Sequence, residues 1–360
     1  MVLKGPGYRN TQSNITYVPS VNQGLFSPGS CIGIAITSLH LQQGDANGSL
    51  IYNAQCQNLI IDGCVVDGDL AGTNVQPLIY SATANTVIHN KTLRPVNQYQ
   101  YAIQLHGASA ININSEVNDN RFENTGKDIL VSRTPGSQFQ VEGLRLVRNT
   151  FLTTSTEQIT VQAAFHIDIS HNIIDQSRYM AIWPNAISGP IDSILISHNY
   201  LGLIPNGGVG VYIPNAAYST ADVVIGANRF ASGTYGIATG SNANIIVANN
   251  IMTGDGTTGS TGIQASGLSN ILGNIVQGYV TPYLLGGAYN SSANWQLLCR
   301  PAGLTPQMHP RRTDVTDQHP DPSRGLLRLR SVTNGPGTRA SVLVPECCVA
   351  SGGVACAGDP

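Results

Sequence analysis

Charge is scarce in this chain. Only 11% of its 360 residues are Asp, Glu, Lys or Arg, and just three are lysine (Lys4, Lys91 and Lys127). A formal net charge of −2 with no basic stripe lacks the electrostatic footprint of a nucleic-acid binder, so no such partner is expected. Aromatic residues make up 6%. No long apolar run occurs, which excludes a membrane-spanning helix. No basic-then-apolar leader opens the chain, and no stretch combines a helical apolar stripe with caps at both ends. Cysteine is present in an odd number, seven, without CxxC or Cys/His ligand spacing. Cys31, Cys56 and Cys64 are expected to be buried free thiols rather than disulfide partners. His309 and His319 lie in sequence that gives no reason to make them ligands. No cofactor is expected; calcium is left open, with no acidic cluster or motif to support it.

What the chain does have is a repeat. Asn120, Asn149, Asn172, Asn199, Asn228, Asn250 and Asn274 each follow a short β-branched run. Each stands two residues before an apolar one: Phe122, Phe151, Ile174, Leu201, Phe230, Met252 and Val276. Self-similarity at a period between about 20 and 50 residues is the mark of a solenoid. Within each repeat, alternating strands of about 4–6 residues are separated by Gly-, Ser-, Thr- and Asp-rich corners, the pattern of strand rather than helix. Three short strands per turn predict an all-β fold, a single-stranded right-handed parallel β-helix of about ten coils. The Asn is expected at a tight corner, where its amide tolerates left-handed geometry and bonds to its counterpart one coil away, forming a ladder. Weaker repeats reach upstream, with Cys64 and then Asn90 in the Asn position.

The repeat stops near Trp295. Residues 296–360 contain no Phe, Tyr or Trp, yet hold eight of nineteen prolines and seven of fifteen arginines. Two parts follow: a β-helix over 1–295 and a poorly structured tail over 296–360, because Pro-rich, aromatic-free sequence buries too little apolar surface to offset its ordering entropy. Ser341 to Pro345 is the one strand-like piece of that tail. An altered reading frame past residue 296 is an alternative origin for it. The opening Met1-Val-Leu-Lys-Gly-Pro-Gly segment reads as a strand and turn already inside a solenoid, so a capping end is expected to precede it.

The repeat over roughly residues 30–288 resembles that of the pectate-lyase-like superfamily. This resemblance implies a polysaccharide partner, an extracellular or cell-surface setting despite the missing signal peptide, and substrate lying on the outer face of one sheet over the middle coils. Aligning that sheet by its apolar residues pairs Ile159 with Met180 and stacks Lys127, Glu157 and Arg178 along one edge, with Asp128 and Tyr179 beside them. These five are the candidate catalytic residues. For β-elimination, Lys127 or Tyr179 serves as base or acid and Arg178 holds a uronate carboxylate. For hydrolysis, Asp128 and Glu157 are the carboxylate pair, with Asp175 in reserve. His106, Gln158, Gln162, Trp183 and Tyr212 are the candidate substrate-binding residues. The favoured reading is a lyase or hydrolase of an acidic polysaccharide. The alternatives are a non-catalytic glycan-binding or structural solenoid of the tailspike or adhesin kind, for which a homotrimer is expected, and an inactive remnant. The Gly-His-Gly and Asp-Pro-His-Asp signatures of related hydrolases and epimerases are absent.

Overall fold

The computed structural model describes residues 24–286 apart from the loop segments 45–47, 69–71, 96, 109–111, 124–125, 153–155, 203–206, 232 and 241–242. It also describes Asn294 and the backbone of the strands Val2–Lys4, Asn14–Tyr17, Tyr289–Ser292, Trp295–Leu297, Leu329–Thr333 and Arg339–Leu343. The strand pairing is that of a right-handed parallel β-solenoid. Most turns contribute one strand to each of three parallel sheets, of 14, 12 and 10 strands. Sheet A collects the strands before the Asn corner, such as Arg145–Val147 and Ile191–Ser197. Sheet B collects the three-residue strands just after it, such as Thr150–Leu152 and Tyr200–Gly202. Sheet C runs from Ile51–Asn53 to Thr281–Leu285 through ten strands.

The apolar residue of each repeat explains why the coils stack. In sheet B, Val66, Leu93, Phe122, Phe151, Ile174, Leu201, Phe230, Met252 and Val276 lie in register, one per turn. All nine are at most 1% exposed. The Phe122 and Phe151 rings stack with centroids 4.6 Å apart, the spacing of neighbouring strands. Full burial of one such side chain is worth about 1.5–3 kcal/mol, so a single column supplies a large share of the drive to coil.

The Asn residues form a second buried column at the corner between sheets A and B. Asn120 Nδ2 donates to Asn149 Oδ1 at 3.0 Å, and the same bond links 149 to 172, 172 to 199, 199 to 228, 228 to 250 and 250 to 274 at 2.9–3.1 Å. Each Oδ1 also accepts the backbone N–H of the preceding Asn, and each Nδ2 reaches back to a carbonyl of the previous turn, as Asn199 does to Ile169 at 2.9 Å. Burying amides is costly unless their polar atoms are bonded, and here both ends are.

The column differs from expectation at both ends. Downstream it continues to Asn294, whose Oδ1 accepts from Asn274 Nδ2 at 3.1 Å. Upstream the position is filled by Lys91, not Asn90: Lys91 N donates to Asn120 Oδ1 at 3.2 Å, and Thr92 pairs with Arg121 as Thr150 does. Asn90 instead occupies the preceding corner residue, at φ 54°. That corner is left-handed in turn after turn, with φ of 57° at Asp119, Arg148 and His171, 56° at His198, Ala227 and Asn249, and 63° at Gly273.

The free-thiol expectation fails for two cysteines. Cys31 and Cys56 are register partners on adjacent strands of sheet A and form a disulfide, their Cα atoms 4.6 Å apart. A separation of 25 residues is one turn, which the weak early repeat concealed. Cys64 is free and buried. Beyond the solenoid, Leu329–Thr333 and Arg339–Leu343 pair antiparallel; most of the tail lies outside the described residues. Among the described residues, no helix is long and apolar enough to cross a membrane.

Candidate functional site

Sheet C carries the candidate residues, and its true register rearranges them. Ile103, Ile129, Ile159 and Ile182 form one buried level, so Ile182, not Met180, stands beside Ile159. Met180 instead pairs with Glu157. The sequence alignment slipped by two residues because Met180 and Ile182 are both apolar and the face alternates with period two.

Lys127 and Glu157 do meet. Their Nζ and Oε2 are 2.9 Å apart, and the Lys127 ammonium lies 5.2 Å from the centroid of Tyr101, its register partner on the previous turn. Burial works against the charged lysine, but Tyr101 and the Glu157 carboxylate outweigh it and hold the Lys127 pKa above its usual value. Tyr101 is itself raised, mainly by burial. Neither group is therefore a base near neutrality.

The other three candidates do not join this pair. Asp128 is completely buried, at the level of Ala102, Gln158 and Ala181, which are also 0% exposed. The corresponding glycines of later turns confirm the direction of this level: a Cβ at Gly210 would lie 2.7 Å from the Phe230 ring. Burial pushes the Asp128 carboxyl well above its ordinary range, and neither oxygen has a hydrogen-bond partner. It lies inside the coil, where no sugar reaches, so the Asp128–Glu157 pair cannot flank a glycosidic bond. Gln158 faces inward with it rather than outward. Arg178 and Tyr179 precede their strand and are exposed, the guanidinium lying over the neighbouring ring at 5.6 Å. The expected plus–minus–plus edge is a single pair. Asp175 follows the Asn corner in sheet B and lies away from sheet C.

The outer face of sheet C has a column in register instead, in which Thr160 is fully buried and Leu130 and Ala238 are 9% and 6% exposed. Tyr52, Tyr80, Gln104, Leu130, Thr160 and Trp183 are in register, and Tyr212, Ala238, Gln264 and Leu284 continue it. Tyr52 and Tyr80 stack at 4.7 Å. His106, one level further along the strands, stands 5.8 Å from Tyr80 and bonds through Nδ1 to Ser132 Oγ at 2.9 Å and through Nε2 to Thr134 Oγ1 at 3.1 Å. Burial lowers its pKa, so it stays an uncharged hydrogen-bonding group. Gln162 is half-buried two turns on from His106 at that level, past Ser132. Half-buried Trp183 has its indole N–H without a partner.

Where the column passes Tyr212 it opens into a cleft of about 430 Å³. The cleft follows from side-chain size. Ala238 sits between Tyr212 and Gln264, so a methyl forms the floor between two longer side chains. Tyr235 closes the start of the strand, and Pro214, Asn215 and Gly240 form the opposite rim. Gly240 is needed there: a Cβ would fall 2.4 Å from Asn215 Oδ1 and 2.6 Å from its backbone N. Of these residues the sequence singled out Tyr212 alone. The others become visible only once the Tyr212–Ala238–Gln264 register is fixed. Among the described residues, no group of three or more His, Cys, Asp or Glu side chains is placed to hold a metal ion.

The protein is thus a parallel β-solenoid with a long, nearly uncharged outer sheet face, and the expected resemblance to pectate-lyase-like proteins holds at the level of this fold. No family model matches the chain, and no curated protein sequence does. Solved structures similar to it include a mutant tailspike of E. coli bacteriophage HK620 in complex with a pentasaccharide (11% identity, TM-score 0.46, covering 82% of this chain and 60% of the tailspike chain). Another is the Streptococcus pneumoniae surface protein and adhesin PfbA (11%, 0.40, 78% and 90%). A third is a mannuronic acid-specific polysaccharide family 6 lyase from human gut microbiota (13%, 0.34, 82% and 80%). The chain spans 60% of the tailspike's length.

Proposed function

We propose that this solenoid binds a glycan laid across successive turns on the outer face of sheet C. The observation that carries the reading is the aromatic and amide column ending in the Tyr212 cleft. Strands about 4.8 Å apart present a ladder of side chains to an extended polymer, with aromatic faces for sugar rings and amide or hydroxyl groups for their oxygens. The cleft volume falls in the range of about 300–1,000 Å³ found for small-molecule sites. The binding residues are Trp183 and Tyr212, with His106 and Gln162 at the second level of the face.

Isothermal titration of the chain against a panel of defined hexasaccharides tests this directly. Binding is expected for at least one, with affinity reduced about tenfold by Trp183→Ala or Tyr212→Ala, the loss of roughly one stacking contact. Absence of binding across the panel, or binding indifferent to both substitutions, removes the proposal.

Cleavage of the bound glycan is a second reading, favoured by one observation: the Tyr101–Lys127–Glu157 cluster borders the same face. In it Glu157 is the one group suited to accept a proton, Lys127 holds it in place, and Arg178 and Tyr179 contact the polymer from the exposed corner. Glu157→Gln is then expected to abolish product formation while leaving hexasaccharide affinity within about twofold. Unchanged turnover in that variant, or none in the parent protein, leaves binding alone.

A further inference from the structure

Resting on the glycan-binding reading, we infer that the cleft at Tyr212 selects a neutral sugar, and that the polymer it recognises is uncharged at that position rather than a polyuronate. The expectation of an acidic substrate rested on Arg178 as the cation for a carboxylate, with Lys127 as base or acid. Lys127 is committed to Glu157 at 2.9 Å, and Arg178 is exposed over Tyr179. Among the described residues the cleft is lined by Tyr, Val, Pro, Ala, Gly, Asn, Thr, Gln and Ser, without one carboxylate, ammonium or guanidinium.

Size and chemistry agree. A uronate carboxylate placed on the Ala238 floor would give up water without gaining a cation, and an ion so placed is disfavoured far more than a hydroxyl. A hydroxyl needs only partners of its own kind, which Gln264 and Ser266 provide. The two tyrosines, Tyr212 from the middle of one strand and Tyr235 from the start of the next, offer flat faces to the C–H side of a pyranose ring. Gly240 keeps the rim open toward Asn215.

The experiment compares, by titration calorimetry on the full chain, neutral hexasaccharides of glucose, mannose, galactose and N-acetylglucosamine with hexauronates of galacturonate and mannuronate. A neutral probe is expected to bind at least about tenfold more tightly than either hexauronate. Its affinity should be unaffected by raising salt, and should fall about tenfold in Tyr235→Ala or Gln264→Ala. Tyr235→Phe, which keeps the ring, should retain most of it and so separates lost stacking from lost folding. A hexauronate binding more tightly, with affinity lost in Arg178→Ala or at high salt, overturns neutral selection and leaves glycan binding standing. Failure of all six probes overturns both.

Discussion

Lys91 is the residue most out of keeping with its surroundings. It fills an Asn position, is 2% exposed, and its Nζ donates to His89 O at 2.6 Å with the Cys64 thiol on the turn below. Burial lowers its pKa from 10.5 to about 7, against smaller opposing contributions from Cys64 and Asp62. A lysine depressed in the folded state is protonated in the unfolded chain over a window where the native chain is not. Stability therefore rises with pH from about 7 upward, and the penalty is fully present below that. Above about pH 9 the buried Cys64 thiol, whose pKa is raised, opposes the trend because the unfolded thiol ionises first. Denaturant titrations should show a gain of roughly 2–3 kcal/mol between pH 7 and 9. Lys91→Asn should flatten that slope and raise the midpoint at pH 7. A steeper or unchanged slope would mean that Lys91 is not the titrating group.

Among the elements, the corner between sheets A and B repeats two demands: a bonded amide at one residue and left-handed backbone at the residue before. Asn199→Leu keeps side-chain size yet strands the backbone N–H of Asn172 and one of its two Nδ2 hydrogens, the other still bonding Leu146 O, and removes the amide donor to the carbonyl of Ile169. Each buried group left unpaired costs about 1–3 kcal/mol, so a loss of about 3 kcal/mol or more in unfolding free energy is expected. Ala227, at φ 56°, is the opposite case. Glycine removes the Cβ strain there, and Ala227→Gly should stabilise by up to about 1 kcal/mol, readable as a higher melting temperature.

The amide repeat and the alternation of β-branched residues made this corner legible in sequence, along with the fold. The details that failed share a cause. Where two apolar residues are two positions apart, as Met180 and Ile182 are, periodicity cannot choose between registers. The error moved Arg178 onto the Lys127–Glu157 edge. Asp128 was misplaced because strict alternation assigns it outward, whereas Asp128 and Ile129 are both buried. The cleft was hidden for a different reason: its floor is the small side chain of Ala238, and an absence of volume leaves no motif.

For the molecule as a whole, each turn touches mainly its neighbours, and stability is close to a sum over adjacent turns. The Cys31–Cys56 bridge staples the first complete turns, and closing a loop of 25 residues is worth about 3 kcal/mol in the chain-entropy account. In a solenoid that contribution is local. Reduction should speed amide hydrogen exchange over residues 31–67 while leaving exchange around Tyr212 and Gln264 unchanged. Acceleration along the entire solenoid would show cooperativity that nearest-neighbour stacking does not supply.

The Asn column has one more consequence. From Asn120 to Asn274 one Nδ2–H points to the following turn and the other back to a carbonyl, while every Oδ1 from Asn149 to Asn294 accepts from the preceding turn. The side-chain amides therefore add as aligned dipoles, each polarising the next, and give the corner a positive end at Asn294 and a negative end facing Lys91. A stack with such polarity has a grammar. Past Asn294 it can be extended only head to tail, because two copies abutting through that end would set donor against donor.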